Sequence, residues 1–330
     1  MLERHCCLEN RPEGRIQGEC PLVSIIVVLY DSVGYIEPCL RSLATLKYSP
    51  FEVILVDNGS NDDSCTLARK VANDAGLEYM IRRLGANGGF AKANNYGFKL
   101  SGGDIALLLN PDTEVFPDTL DKLTGAFEED DVGVVGCKLY YPDQKIIQHA
   151  GGYVRDNGLT MHYGIGEEDA GQYEEPKDVT YVTGAALAIR RSVFERAGML
   201  DPGYSPAYFE DVDICLNARR LGYRVAYAPE ARIIHHESTT IRKFSKRYYY
   251  LYHRNRIRFM LKNFSFKFLK AKALPMEKRW LVITGTDEPI SPLIRAYLTN
   301  LVMLPLTLVS RRRNDRLIGK PRIEDTVSTL

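Results

Sequence analysis

Several signatures are missing from this 330-residue chain, and each omission narrows what it can be. No GxGxxG triplet follows the first apolar segment, which counts against NAD, FAD and most methyl-donor cofactors. The seven cysteines, Cys6, Cys7, Cys20, Cys39, Cys65, Cys137 and Cys215, are scattered and never spaced as CxxC. Neither a disulfide framework nor a zinc site is indicated, and a reducing cytosol is the expected compartment. The first twenty residues carry charges where a secretory signal needs an apolar core, so no export is expected. The best membrane candidate, Tyr297 to Val309, is shorter than the roughly 20 residues a spanning helix needs. It is bounded by Arg295 and by Arg311, Arg312 and Arg313, which points to an interfacial or core helix.

Acid is absent from one long stretch. Between Thr239 and Met276 there is no Asp or Glu, while Arg242, Lys243, Lys246, Arg247, Arg254, Arg256, Arg258, Lys262, Lys267, Lys270 and Lys272 stand there. The near-neutral total of +1 therefore divides into an arm of +11 and a remainder of −10. Such asymmetry points to an anionic partner for the arm. The rest of the composition, 45% hydrophobic and 26% charged, is that of a globular protein with one large domain or two modest ones.

From Val23 onward two periodicities alternate. The β-branched run VSIIVVLY reads as a strand buried on both faces of a parallel sheet. An amphipathic stretch YIEPCLRSLATL, a second strand FEVILVDN, a helical segment from Asp62 to about Asn73, a weaker strand at Tyr79 to Arg83, a helix after Gly89 and the strand DIALLLN follow. Strands alternating with helices predict an α/β sheet with right-handed crossovers. Later, VGVVGCKLYY and VTYVTGAALAIRR are strand-like, Gly151 to Lys177 reads as a loop-dominated substrate region, Tyr208 to Leu221 as a helix, and Tyr223 to Ile234 as a last strand.

Ligands of open α/β sheets bind beyond the carboxyl ends of the strands. There the chain places Tyr30-Asp31, Asp57-Asn58-Gly59-Ser60 and Asn110-Pro111-Asp112-Thr113. Asp57 either accepts hydrogen bonds from a ribose or base edge or holds its own turn and caps the next helix. Asn87-Gly88-Gly89-Phe90-Ala91 opens a helix, where backbone N–H groups can approach a phosphate or sugar hydroxyl, or forms a plain tight turn. Asn110 and Asp112, two apart, offer hard oxygen ligands of the kind Mg²⁺ takes together with substrate phosphates. Glu210-Asp211-Val212-Asp213 places acids in a first helical turn, as the helix dipole alone favours, or supplies a general base beside the aromatic approach of Tyr208 and Phe209. His235, ending the last strand, is an admissible ligand for Mn²⁺.

With these pieces assembled, the chain resembles the inverting family-2 glycosyltransferases of the GT-A fold, especially the rhamnosyltransferase-like branch that builds bacterial surface polysaccharides. The matching pieces, in order, are VSIIVVLYDS, VILVDNGSND, NGGFAKANNYG, LLLNPDT, VTGAALAIRRSVFERAGMLDPGY, YFEDVDICLNARRLGY and HHEST, spanning roughly Val23 to Thr240. The resemblance implies an N-terminal extension (1–21), a catalytic domain (22–238) with a nucleotide-sugar half (22–115) and an acceptor half (116–238), and a basic helical C-terminal region (239–330). It implies a mostly parallel central sheet flanked by helices. The donor site falls on Leu29, Tyr30, Asp31, Asp57, Asn58, Ser60, Asn87, Gly88, Gly89, Ala91 and Asn110. A divalent metal, Mg²⁺ or Mn²⁺, falls to Asp112 and His235 with Asn110, where Asn stands for the first acid of the DxD pattern. Asp211 is implied as the base with Glu210 beside it, and Gly184, Tyr208, Phe209 and Asp213 as acceptor-side residues.

The resemblance further implies a nucleotide-diphospho-sugar donor, dTDP-rhamnose or a UDP-sugar, and a glycan or lipid-linked glycan acceptor. The basic arm, interleaved with Tyr, Phe, Leu and Ile, fits helices in an anionic membrane interface at the inner face of the plasma membrane. The alternative is that its aromatics pack on the body with the charges in water; membrane contact is the favoured expectation. No nucleic acid partner is expected, because no RNA-binding motif accompanies the basic residues; a homo-oligomer remains compatible. A sugar nucleotidyltransferase would carry a Gly-rich, Arg-containing loop after the first strand, which LYDSVGYIEP is not. A non-catalytic relative that binds lipid or polysaccharide would lack one of Asp112, Asp211 and His235, and all three are present.

Overall fold

A computed structural model describes residues 20–237, 243–284 and 288–319. Cys6 and Cys7, most of the N-terminal extension, Arg242 and the last residues of the HHEST match lie outside them. Four strands, β1 (Val23–Leu29), β2 (Phe51–Asp57), β3 (Tyr79–Arg83) and β4 (Ile105–Leu109), lie parallel in the order β3-β2-β1-β4. β1 and β4 read as unbroken apolar runs because both faces are covered, whereas the edge strand β3 buries only Ile81. Val27 and Leu29 belong to one core cluster and Ile26 and Val28 to the other, as the two-residue period of a strand requires. Helices α1 (Ile36–Leu43), α2 (Ser64–Asp74) and α3 (Phe90–Leu100) connect them. In α1, Ile36, Cys39, Leu40 and Leu43 repeat at helical spacing and are all buried. Gly97 of α3 touches the sheet directly: a Cβ there would lie 2.6 Å from Ile26 Cγ2.

The second half adds β5 (Thr113–Val115), α4 (Thr119–Gly125), β6 (Val132–Tyr140), β7 (Ile147–His149), β8 (Gly152–Val154), β9 (Thr160–His162), β10 (Lys177–Asp178), β11 (Ala186–Arg190), α5 (Arg191–Arg196), α6 (Glu210–Arg220) and β12 (Arg224–His235). The sheet continues past β4 as β11-β6-β12-β10, with β11 antiparallel to both neighbours and β12 parallel to β6. The nucleotide half is thus parallel as expected, and the acceptor half is mixed. Pro229 interrupts β12, whose register against β6 shifts between Ala228 and Arg232, the bulge a strand proline requires. The region expected as loop from Gly151 contains the β8-β9 hairpin. Cys39, Cys65, Cys137 and Cys215 are free thiols, whereas Cys20 is disulfide-bonded, one bond where no framework was indicated.

The described chain closes with α7 (Lys246–Asn263), a continuous helical stretch in which α8 (Phe266–Phe268) and α9 (Leu274–Arg279) alternate with π-helical turns at Leu269–Ala273 and Trp280–Thr284, and the 29-residue α10 (Ile290–Ile318). They share the body's core, since Ile257, Phe259, Met260, Phe264, Ala273 and Ala296 join the cluster that contains Ile26 and Tyr204. Burying rings such as Phe259 and Phe264 contributes about 1.5–3 kcal/mol each.

The basic residues of α7 depart from both expectations, because the central ones face neither lipid nor water. Lys262 Nζ, 3% exposed, lies 2.7 Å from Asp213 and 2.8 Å from Asp201. Arg258 reaches Asp201 at 3.0 Å, and Arg256 grips Glu277 through both terminal nitrogens. Composition had located the positive charges but not the acids that neutralise them. Lys246, Arg247, Lys267, Lys270 and Lys272 remain exposed.

Along α10 the buried positions Leu293, Ala296, Asn300, Thr307, Arg311, Asn314 and Ile318 form one stripe against the body. The opposite side exposes Ile290, Ile294, Leu298, Leu301, Val302, Leu306 and Val309. By length and composition alone this helix is long and apolar enough to cross a membrane.

Candidate active site

The carboxyl ends of β1, β2 and β3 hold the first cluster. Asp57, wholly buried, accepts a hydrogen bond from the Ser60 N–H at 2.9 Å and lies 3.1 Å from Arg83 Nε. Arg83 also donates to the Ser60 carbonyl at 2.8 Å, so it clasps the turn from the end of β3. Asn58 joins this turn to the glycine loop: its amide donates to Asn87 Oδ1 at 3.0 Å, and its Oδ1 accepts the Gly88 N–H at 2.9 Å. Asp31, at φ +48°, accepts the Asn61 N–H at 2.7 Å, and its own N–H reaches Ser60 Oγ at 3.2 Å. Tyr30 follows the buried end of β1. Leu29 and Ala91 are buried in the core, so only their backbones are available; the Leu29 carbonyl already accepts the Asn58 N–H at 2.8 Å. Gly89, at φ +85°, sits against Ser205, whose Oγ would be 2.5 Å from any Cβ placed there. Asp57 and the loops at Asp31 and Asn87 thus form one shelf, as the sequence order suggested.

A second cluster lies where β4 ends and β12 returns. His235 Nε2 is 3.3 Å from Asp112 Oδ1, both side chains nearly buried. Its Nδ1 is 2.5 Å from Gln148 Oε1, while Gln148 Nε2 donates to the His235 carbonyl at 3.4 Å. An amide oxygen only accepts, so in the neutral ring the proton is on Nδ1 and the Nε2 lone pair faces the Asp112 carboxylate. Two such lone pairs repel unless a proton or a cation lies between them. Among the described residues no group of three or more His, Cys, Asp or Glu could hold a metal. A divalent ion between the two lone pairs would take these two protein ligands and complete its shell with phosphate oxygens and water. Asn110 lines the same space; its N–H donates to the Ala185 carbonyl at 2.9 Å.

Both clusters differ from the acid pair that opens α6. Asp211 accepts the Gly184 N–H on Oδ2 at 2.9 Å and its neighbour Val212 N–H on Oδ1 at 2.8 Å. Burial raises its carboxyl, and these two donors oppose that rise. Glu210 has no such donors on Oε2, and burial first, then the Asp211 charge, push it up to about 8. Asp211 is thus the more readily ionised member. The helix starts at Glu210, later than the pattern indicated, because Tyr208 and Phe209 adopt φ +83° and +75°. The amide of Asn255 in α7 holds that turn, lying within hydrogen-bonding distance of the Tyr204, Ala207 and Tyr208 carbonyls (2.6, 2.9 and 2.9 Å).

A cavity of about 610 Å³ brings Asn110, Asp112, His235, Gly184, Glu210 and Asp211 together with Tyr208 and Phe209. Among the described residues, four of its lining side chains, Tyr208, Phe209, Glu237 and Phe244, have positive φ without being glycine. Strained backbone concentrates at functional sites. Asp213 does not join them: its carboxylate accepts from Tyr204 OH (2.9 Å), Asn263 Nδ2 (2.8 Å) and Lys262 Nζ (2.7 Å) and faces the C-terminal helices. Two residues of helix rotate a side chain by about 200°, so Asp211 and Asp213 of one motif point to different surroundings. Sequence reading missed Arg83, Gln148 and the aromatic residues of α7; only Arg83, the last residue of a strand, carried a local signal.

Residues 24–198 match the Glycosyl transferase family 2 model, so this chain belongs to that family. Among relatives, it is 34% identical to the Sinorhizobium fredii protein y4gI over 67% of this chain and 25% of that one. It is 33% identical to the O-antigen biosynthesis protein RfbC of Myxococcus xanthus over 67% and 18%, so the chain spans a quarter or less of these two relatives. It is 27% identical to the N-acetylglucosaminyl-diphospho-decaprenol L-rhamnosyltransferase of Mycobacterium tuberculosis over 66% of this chain and 76% of that one. Solved structures sharing the fold include GalNAc-T7 with UDP, GalNAc and Mn²⁺ (TM-score 0.60, 17% identity, 76% of this chain and 49% of that one). Staphylococcus aureus TarS 1-349 with UDP-GlcNAc is another (TM-score 0.55, 17% identity, 90% and 89%). The fold is GT-A.

Proposed function

We propose that this protein is an inverting glycosyltransferase of cell-surface polysaccharide synthesis, moving a sugar from a nucleotide-diphosphate donor to a glycan or lipid-linked glycan. The observation that carries the reading is Asp211: a buried carboxylate fixed through both oxygens by Gly184 and Val212, in one cavity with Asp112 and His235. The acceptor hydroxyl oxygen forms the new bond to the anomeric carbon. Its proton passes to Asp211, and the anomeric carbon–phosphate oxygen bond breaks on the opposite side. Asp57, Asn58 and the Asn87–Gly89 loop hold the nucleotide, with Arg83 fixing the Asp57 turn. Asp112 and His235, with Asn110 alongside, would hold a divalent ion, Mg²⁺ or Mn²⁺, whose charge would stabilise the departing diphosphate.

dTDP-rhamnose is the first donor to test, supported by the rhamnosyltransferase relative, and UDP-hexoses are second. The protein works on the cytoplasmic side of the plasma membrane, bound through the exposed apolar stripe of α10 with Arg312, Arg313 and Arg316 at one end. A helix packed on the body along its other stripe suits the interface rather than the bilayer core. The deciding experiment incubates purified protein with a panel of nucleotide sugars and Mn²⁺ or Mg²⁺, reading release of the nucleotide diphosphate. One donor should turn over, and Asp211→Asn should lower that rate about 10²–10⁴-fold with donor affinity retained. Unchanged turnover in Asp211→Asn removes the base assignment.

A further inference from the structure

The cavity is not the donor shelf. Asp57, Asn58, Asn87 and Gly88 are not among its lining residues; Phe90, Asn110 and Asp112 are its only contributions from the nucleotide half. Its opposite wall comes from the C-terminal helices, through Phe244 just ahead of α7 and Tyr248, Tyr249 and Tyr252 within it. We propose that this wall is a subsite for a pyranose ring of the acceptor, stacked on Phe244 and Tyr248 so that a hydroxyl meets Asp211. The proposal rests on the transferase reading above.

Three observations converge on it. Phe244 is 72% exposed and held at φ +59°, an unfavourable backbone for a bulky residue that nothing in its own burial repays. The rings form a connected surface: Phe244 and Tyr248 centroids are 6.0 Å apart, Tyr248 meets Tyr208 edge-on at 5.4 Å, and Tyr252 lies stacked behind Tyr248 at 6.1 Å. Tyr252 is fixed in turn, its hydroxyl accepting the Thr160 N–H at 3.1 Å. Such faces attract the weakly positive C–H side of a sugar ring, leaving its hydroxyls to polar neighbours.

The third observation is charge. The described lining contributes one lysine, Lys243, and it is ion-paired with Glu237. His149 and His162 share a hydrogen bond between their Nδ1 atoms at 2.7 Å, and burial, first among the causes, lowers both, His162 to about 4. Both rings are thus neutral at pH 7. A wall of aromatic faces and neutral imidazoles suits an uncharged sugar better than a diphosphate, and about 610 Å³ is ample for one or two rings.

Octyl β-glycosides of N-acetylglucosamine, glucose, galactose and rhamnose are the probes, followed by saturation-transfer NMR and titration with the full chain. At least one should bind with saturation reaching its ring protons. Phe244→Ala and Tyr248→Ala should each weaken it by about tenfold, and Tyr248→Phe, which keeps the ring, should bind as wild type. Phe266→Ala, an exposed ring outside the cavity, should have no effect, and circular dichroism checks that each variant folds. Equal affinity in the Phe244→Ala and Tyr248→Ala variants, or no binding of any glycoside, overturns the subsite. Failure of the transferase reading looks different: wild type would release no nucleotide diphosphate from any donor while glycosides still bound through Phe244.

Discussion

The ring of His235 presents Nδ1 to Gln148 Oε1 at 2.5 Å and Nε2 to Asp112 Oδ1 at 3.3 Å. Gln148 thereby selects the tautomer whose free lone pair faces the carboxylate. Gln148→Leu should weaken Mn²⁺ binding in the presence of UDP by roughly 10–100-fold, read from the electron paramagnetic resonance of free Mn²⁺. Gln148→Glu, which keeps an accepting oxygen, should retain most of it. Equal Mn²⁺ affinity in the leucine variant would remove Gln148 from the metal account.

Glu210 provides a pH signature. Burial and then Asp211 raise its carboxyl to about 8, above the ordinary value of about 4.3 expected in the unfolded chain. Between those values the folded state binds more protons than the unfolded state, so stability falls as pH rises from about 4.3 through about 8. Urea unfolding at a series of pH values should show this decline in wild type and a flatter profile in Glu210→Gln. Parallel profiles would contradict the raised carboxyl.

Arg83 clasps the Asp57 turn from outside the core. Arg83→Ala should loosen that turn and weaken UDP binding by about tenfold, as expected for loss of one or two hydrogen bonds to charged groups. Calorimetric titration with UDP measures it; an unchanged affinity would place the nucleotide elsewhere.

How much of this was legible beforehand follows from the range of each interaction. The strands β1, β2 and β4 announced themselves because burial on both faces leaves little polar alternation to misread, and Asp57, Asp112, Asp211 and His235 lie at or near element ends where chemistry is expected. Asp213 was misplaced because sequence gives adjacency and not direction around a helix. Gln148 and Tyr248 were invisible because they reach the site only through tertiary packing, 87 residues from His235 in the first case. The basic arm was correctly seen as a charge excess, but its partners Asp201, Asp213 and Glu277 could not be assigned from composition.

Those partners make the arm a stability element. Lys262→Met should strip Asp213 of its buried counter-charge and lower unfolding free energy by about 3–5 kcal/mol, measured by urea denaturation. A change below about 1 kcal/mol would mean that Tyr204 and Asn263 suffice to hold Asp213.

Membrane binding is best tested on α10, because removing the C-terminal helices would uncover core. Leu301 and Val302 are 70% and 77% exposed, so the double substitution Leu301→Glu and Val302→Glu should leave the fold intact. It should abolish co-flotation with phosphatidylglycerol vesicles, whereas wild type should float even at high salt because apolar burial is weakly screened. Flotation of the double variant would exonerate the stripe.

The family match ends at residue 198, before Asp211, Asn255 and the aromatic residues of α7. Asn255 ties α7 to the turn that launches the catalytic helix, and Lys262 ties it to the helix itself. The proposed base and the proposed acceptor wall are thus held by one set of contacts. A chimera that borrows α7 from a relative to change the acceptor must cross over upstream of Asp201 and take the segment through residue 318, or it will import a new wall onto a mismatched latch.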